Sequence, residues 1–470
     1  MKRTTLVSKN AKISPEPERL DLIVRGGKLV TTGGVIWADL GVRHGKFVQI
    51  APEITELTHE TIDAKGCYVF PGIIDAHVHF NEPGRADWEG LGSGSAALAA
   101  GGGTCFFDMP LNSEPPVLDA ASLRAKRMLA EEQSCVDFAL WGGLVPGNLD
   151  KLAGLRDAGA IGLKAFMCNS GIDSFGAVNA TVLREGMKRA AKLGMLVAVH
   201  AEDDALAAKF TAMEKAKGRN DAKAWLASRP VEVELTAIRT ALELAGETGC
   251  SLHIVHVSSS EGIALITAAR AQRVDVTAET CPHYLLLNDK DVTKLGAAGK
   301  CAPPIRDEKN RLALWTELRA GRIHTVGSDH SPAPPAMKTS KNFFEIWGGI
   351  SGVQHGASLL LNECAATLEN DLPTLAAVLA RNVARRFRIE ERKGSIALGR
   401  DADFSIFSLQ EPGKISAEDL WTRHRTSAYV GRKNRTYISH TFVRGQAAWR
   451  DGRLSLPSPR AEFLRPVGPL

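Results

Sequence analysis

A chain of 470 residues with 44% apolar and 24% charged content has the composition of an ordinary soluble globular enzyme with room for a large core. The net charge of +5 is slight and dispersed, with no run of five or more basic residues, so nothing marks a nucleic-acid or acidic-membrane partner. No uncharged apolar run reaches the ~18 residues of a membrane span, and MKRTTLVSKNAKISPEPERL lacks the roughly 7–15-residue apolar core of a signal peptide; a cytoplasmic location is expected.

Residues 1–18 are polar and read as an extension. From Leu20 the text turns to short β-branched segments between glycine turns: LDLIVRGGKLV, GGVIWADLGVRHGKFVQI and HETIDAKGCYVF. The same texture returns in DADFSIFSL and YISHTFVRGQAAWRDGRL. Alternation with regular turn spacing predicts strands. Two such flanks, 19–70 and 386–455, predict one small β domain assembled from both ends. The proline-bearing tail, 456–470, carries no derivable role. Eight cysteines lie far apart (67, 105, 135, 168, 250, 281, 301 and 364) with no C-x-x-C, so reduced, mostly buried thiols are expected.

The middle, 71–385, alternates short apolar strands with helical patterns. Strands are predicted at Gly72–His79, Cys105–Met109, Phe138–Leu144, Gly162–Phe166, Leu196–His200, Ser251–Val257, Val274–Ala278 and His324–Gly327. Helices are predicted at Gly90–Gly101, Ala120–Glu132, Leu149–Ala158, Ala180–Leu193, Val231–Glu247, Gly262–Ala271 and Lys309–Ala320. Eight strand–helix units with right-handed crossovers predict a parallel sheet closed into an α/β (β/α)8 TIM barrel.

Barrel enzymes carry their chemistry at the C-terminal ends of the strands. In FPGIIDAHVHFNEPGR (Phe70–Arg85) a buried strand ends in His77 and His79, alternate positions whose side chains point one way. Later strand ends supply Lys164 in GLKAFM, His200 in VAVHAED, His256 in HIVHVSS and Asp329 in SDHSP. Each signal is weak alone, but six ligand-type groups on five strand ends form a pattern that suits zinc or a related divalent metal. Lys164 is the odd member. With a reference pKa of ~10.4, an ammonium must give up a proton at about 4.6 kcal/mol before it can ligate at pH 7.

Together HVHFNEPGR, GLKAFM, VAVHAED, HIVHVSS and SDHSP resemble the cyclic-amidohydrolase branch of the amidohydrolase superfamily, over about residues 20–455. The resemblance implies a (β/α)8 barrel flanked by a β-sandwich built from both ends, and a centre of two divalent metal ions, most often zinc. His77, His79 and Asp329 would hold the first ion, and His200 and His256 the second. Lys164, carboxylated to N6-carboxylysine, would bridge them. All six positions of that pattern are intact. Cobalt, manganese and iron suit the same donors. The resemblance also implies a homotetramer.

Within that branch the best match is the allantoinase subfamily, which opens the ring of a small cyclic ureide. Dihydroorotases usually carry arginine at the position of Asn81, where it grips a carboxylate; a neutral amide suits an uncharged ring. Five residues beyond Lys164, where hydantoinases usually have tyrosine, stands Asn169. DMPLNSEPP (Asp108–Pro116) and SDHSPAPPAMK (Ser328–Lys338) also resemble allantoinases. Hydantoinase/dihydropyrimidinase-like and dihydroorotase-like hydrolases are the alternatives. A non-catalytic scaffold is disfavoured by the intact ligand set. Asp329 is the expected catalytic base and then acid. Asn81, Asn112 and Asn169 are candidates for substrate hydrogen bonds, with Ala302 and Gly348 in loops that face the ring in the family. His330 is expected to orient Asp329 from behind. His253 is expected on the helix-packed side of its strand, and His283 is left open between a supporting and a buried role.

Overall fold

The computed structural model describes residues 19–365, 367–455 and 460–468; the predicted extension 1–18 and parts of the tail lie outside them. The chain opens with β1 (Leu20–Thr31), β2 (Gly34–Arg43), β3 (Lys46–Ala51), β4 (Thr58–Asp63) and β5 (Tyr68–Pro71). Nine shorter strands follow: β6 (Ile73–Val78), β7 (Gly103–Asp108), β8 (Asp137–Leu140), β9 (Gly142–Gly143), β10 (Leu163–Phe166), β11 (Val197–His200), β12 (Leu252–Ile254), β13 (Val276–Thr280) and β14 (Thr325–Val326). β15 (Phe404–Lys414), β16 (Lys433–Val443), β17 (Gln446–Arg450) and β18 (Arg453–Leu454) complete the described strands.

β8 and β9 are two halves of one strand, interrupted at Trp141, whose backbone N–H donates to Asp108 O (3.1 Å) and whose indole donates to Ala76 O (3.0 Å). β6 to β14 thus form eight staves, every neighbouring pair parallel. The ring closes where Val78 bridges His330 and His79 N–H donates to His330 O at 2.8 Å. This is the (β/α)8 barrel expected from the alternating pattern. The seven predicted helices form within a few residues of their expected bounds. Further helices, including Asp204–Ala216 and Ala222–Ala227 between staves and Gly356–Glu363 after the last one, lie in excursions for which the one-helix-per-unit reading made no provision.

Phe387 fills the barrel floor, meeting Phe107, Trp141 and His253 edge-on at 5.1, 5.2 and 5.6 Å between centroids. Above that plug the polar side chains gather. β1–β5 and β15–β18 form one nine-stranded sheet that mixes both ends of the chain, with β15 antiparallel to β5. It forks at Gly26–Gly27: Leu20–Arg25 pair with β4, whereas Lys28 and Leu29 pair with β5. The two layers enclose a core of Val24, Leu40, Phe47, Phe404 and Phe442, the sandwich that the flanking texture and the resemblance implied. Its hairpins turn on Arg444–Gly445 and Asp451–Gly452, each pair at positive φ, the geometry that matches strand twist. Part of the tail reaches the barrel, where Leu464 N–H donates to Phe138 O (2.7 Å) and Phe138 N–H to Glu462 O (3.0 Å).

Candidate metal centre

Register decides which side chains meet. Lys164, Ala198, His253 and Thr277 are cross-strand neighbours on β10 to β13 and therefore point to one side of the sheet. His200 stands two positions further along, opposite Phe166, and the two rings stack at 4.6 Å. His79, His256 and Asp329 lie just beyond the ends of their strands. His256 and Asp329 adopt φ of 40° and 45°. Such left-handed backbone costs non-glycine residues ~1–3 kcal/mol and gathers at functional sites. Ser259 and Asp203 then cap the helices Ser260–Ala271 and Asp204–Ala216, accepting from Gly262 N–H and Leu206 N–H; these caps turn the chain sharply away after the histidines.

All six expected ligands converge. His77, His79 and Asp329 offer donor atoms within 4.8 Å of one another, with Asp329 Oδ1 3.2 Å from His77 Nε2 and 3.4 Å from His79 Nε2. His200 Nδ1 lies 2.9 Å from His256 Nε2, and the His256 ring is 5.4 Å from that of His77. Lys164 is fully buried, and its Nζ has no hydrogen-bond partner. Burial pushes the Lys164 ammonium down to about 8, against the pull of Asp329 and Glu279.

The hydrogen bonds fix which lone pairs face the centre. His77 Nδ1–H donates to Glu279 Oε1 at 2.7 Å and His79 Nδ1–H to Leu111 O at 2.8 Å. Burial opposes the Glu279 charge, but His77 and His253 hold its carboxyl at about 2, so it accepts. Both Nε2 atoms therefore present lone pairs to the Asp329 carboxylate. Asp329 is itself held well below the usual carboxylate range: burial resists its charge, and the neighbouring imidazoles, His77 foremost, outweigh that. On the other side, His200 Nε2–H donates to Glu202 Oε2 at 2.9 Å, leaving Nδ1 bare towards His256. Burial pushes His77 and His200 below their ordinary range and His256 well below it, so all three are neutral ligands at pH 7. Imidazole nitrogens and a carboxylate gather beside an unpartnered buried lysine; this donor set fits divalent cations.

The centre forms the floor of a cavity of about 460 Å³, a size suited to a small ring. Asn112, Asn169, Ala302 and Gly348 line its walls as expected. Asn81 does not. It is fully buried, its Oδ1 accepts from Asn112 Nδ2 at 3.1 Å, and it reaches a ligand only through Asn112. His330 sits behind Asp329, with Nε2–H towards Glu89 Oε2 (3.2 Å) and Nδ1 accepting from Gly352 N–H (3.1 Å). It supports the rim through the backbone, since its carbonyl accepts from His79 N–H. His253 corrects the expectation: its Nδ1 meets Thr277 Oγ1 at 2.7 Å and its Nε2 meets Glu279 Oε2 at 3.4 Å inside the barrel. His283 is buried without a partner on either nitrogen, and the cavity wall does not include it.

Sequence reasoning missed Glu279 and Glu202, the carboxylates that orient His77 and His200. Glu202 was within reach, two residues past His200 in VAVHAED; Glu279 lay one residue beyond the predicted end of its strand. Asp137, Asp401 and Asp403 also cluster, but Lys393 Nζ stands among them at 2.5, 3.1 and 2.6 Å, so their charge is already answered.

A model of the amidohydrolase family matches residues 68–448. An allantoinase from Deinococcus radiodurans is 47% identical over 447 residues, 95% of this chain and 99% of its own. An allantoinase from Solibacter usitatus is 46% identical, over 95% and 97%. Among solved structures, an L-hydantoinase (dihydropyrimidinase) from Arthrobacter aurescens superposes with a TM-score of 0.92 at 32% identity, covering 94% of this chain and 99% of that one.

Proposed function

The chain belongs to the amidohydrolase family and is a hydrolase of cyclic amides; we propose that it opens the ring of allantoin to give allantoate. The near-full-length likeness to allantoinases, well above that to the hydantoinase, carries this choice. Asn112 and Asn169 in the cavity wall support it, since neutral amides suit an uncharged ring, as does the absence of arginine at Asn81.

His77, His79 and Asp329 would hold one divalent ion, His200 and His256 the other, and Lys164 would bridge them as a carboxylated lysine. Its buried, unpartnered amine supports that assignment, because near pH 7 a pKa of about 8 leaves ~10% neutral amine to react with CO2. Bound there, the ions supply Lewis acidity, which brings the pKa of a water from about 15.7 towards ~7 and polarises the ring carbonyl. Asp329 takes the proton of the attacking water and returns it to the ring nitrogen as the C–N bond breaks. Glu279 and Glu202 keep His77 and His200 in the tautomers that present lone pairs. Asn112, Asn169 and the backbone at Ala302 and Gly348 hold the ring in place. Zinc as the native metal, a homotetramer, a cytoplasmic location and division into a composite β domain (19–70 and 386–455) around a catalytic barrel (71–385) belong to the same proposal.

Metal-reconstituted protein offered allantoin, hydantoin and dihydroorotate side by side tests it. The expected result is a kcat/KM for allantoin ~10-fold or more above either competitor, about 1.4 kcal/mol of transition-state preference. Faster opening of hydantoin or dihydroorotate would overturn the substrate and leave the hydrolase.

A further inference from the structure

Glu202 is a buried carboxylate of which only one oxygen is hydrogen-bonded. It is 1% exposed; Oε2 accepts from His200 Nε2–H at 2.9 Å, whereas Oε1 has no hydrogen-bond partner. His200 enters this pair as a neutral donor and cannot balance the anion, and a buried carboxylate without a countercharge is strongly disfavoured. The cation that meets it is Arg229, whose Nε lies 3.6 Å from Glu202 Oε1. That Nε is also shielded from solvent and has no hydrogen-bond partner. The separation is too long for a hydrogen bond, so the contact is an ion pair between two atoms that are otherwise unanswered.

Arg229 is held where it can do this. Its guanidinium carbon stands 3.9 Å over the Trp225 ring, a stacking that suits the flat arginine head, and Nη1 donates to Ser228 Oγ at 3.3 Å. Trp225 is fixed in turn, its indole N–H donating to Cys301 O at 3.2 Å. Arg306 donates to the Arg229 carbonyl. Trp225 and Arg229 belong to the excursion between β11 and β12, and Cys301 and Arg306 to that between β13 and β14. Two excursions outside the barrel therefore set one positive charge behind the ligand cluster.

We infer that Arg229 is a positioning residue: it supplies the countercharge that keeps the Glu202 carboxylate seated against His200, and through that bond fixes the imidazole lone pair turned towards His256, where the second ion would bind. In this role it touches neither ion nor ring. The inference rests on the proposed two-metal centre and extends it by one layer, from His200 through Glu202 to Arg229.

The test is stepwise zinc titration of stripped protein in bicarbonate buffer against a chelating indicator, for wild type, Arg229→Met, Glu202→Gln and the double variant. Partners behind a metal-ligating histidine are worth about 10–100-fold in metal affinity. Arg229→Met is expected to weaken the binding of one ion by about tenfold and to leave the other within about twofold. A protein merely loosened by the substitution would lose both. Because the effect runs through Glu202, Arg229→Met should add less than about twofold in the Glu202→Gln background. Arg229→Gln gives the same comparison if Met disturbs the Trp225 packing. Unchanged affinity for both ions, equal weakening of both, or a full tenfold loss on top of Glu202→Gln overturns the role of Arg229 while the two-metal centre stands. Wild type that takes up fewer than two ions overturns the centre itself.

Discussion

At the scale of single residues, the strand ends carried most of the site. His77, His79, His200, His256 and Asp329 could be named in advance because a barrel delivers strand-end side chains to one rim, and their residue types suit a metal. His253 was misplaced for a physical reason. Three residues before His256, strict alternation puts it on the opposite face. But β12 ends at Ile254 and His256 turns through φ 40°, so both rings point inward. Glu279 was passed over because β13 runs to Thr280, beyond its predicted end at Ala278.

Lys164 gives a prediction at this scale. Burial lowers its ammonium from 10.5 to about 8, so between those pH values the unfolded chain binds a proton that the folded chain lacks. Stability then rises with pH across that window, by about 1.4 kcal/mol per unit and ~3 kcal/mol in all, and the penalty is fully present below pH 8. In metal-stripped protein in CO2-free buffer, the urea midpoint of wild type should climb more steeply between pH 8 and 10.5 than that of Lys164→Met, which keeps only the similar contributions of the buried Lys300 and Lys338. Equal slopes would contradict a buried, unpartnered ammonium.

Between elements, the cluster around Lys393 joins parts of the chain that no local pattern links. Asp137 opens β8, Asp401 and Asp403 lead into β15, and Glu462 N–H from the tail donates to Asp137 Oδ1 at 2.8 Å. Arg444, between β16 and β17, also donates to Asp137. Sequence periodicity locates the strands but is silent on such long-range charge, which is why the tail had no derivable role. Lys393 is nearly fully buried, and the three carboxylates raise its pKa despite that burial. Removing it leaves buried anions under-compensated. Lys393→Met should therefore lower unfolding stability by ~3–5 kcal/mol, read from urea melts, without altering residues that face the cavity. A change below ~1 kcal/mol would show that Arg444 and Arg392, which pairs with Asp401 at 2.7 Å, suffice alone.

For the whole molecule, the barrel supplies a closed floor at Phe387 and an open rim, and the sandwich draws both flanks of the chain into one sheet beside it. No helix among the described residues is long and apolar enough to cross a membrane. The barrel was legible from eight strand–helix units and the composite sheet from the return of one texture at both flanks. The loop excursions were not, and they carry the cavity walls: Trp347 and the Lys300 and Lys338 clamps on its loop were invisible as local patterns.

The claim on which the rest depends is that these six residues hold two divalent ions and that turnover needs both. Protein stripped by a chelator, then titrated with zinc in bicarbonate buffer while bound metal per chain and allantoin opening are measured together, tests it most directly. Negligible turnover in stripped protein and full recovery as the second ion binds are the expected result. Full activity in stripped protein, or saturation at one bound ion per chain, would contradict it.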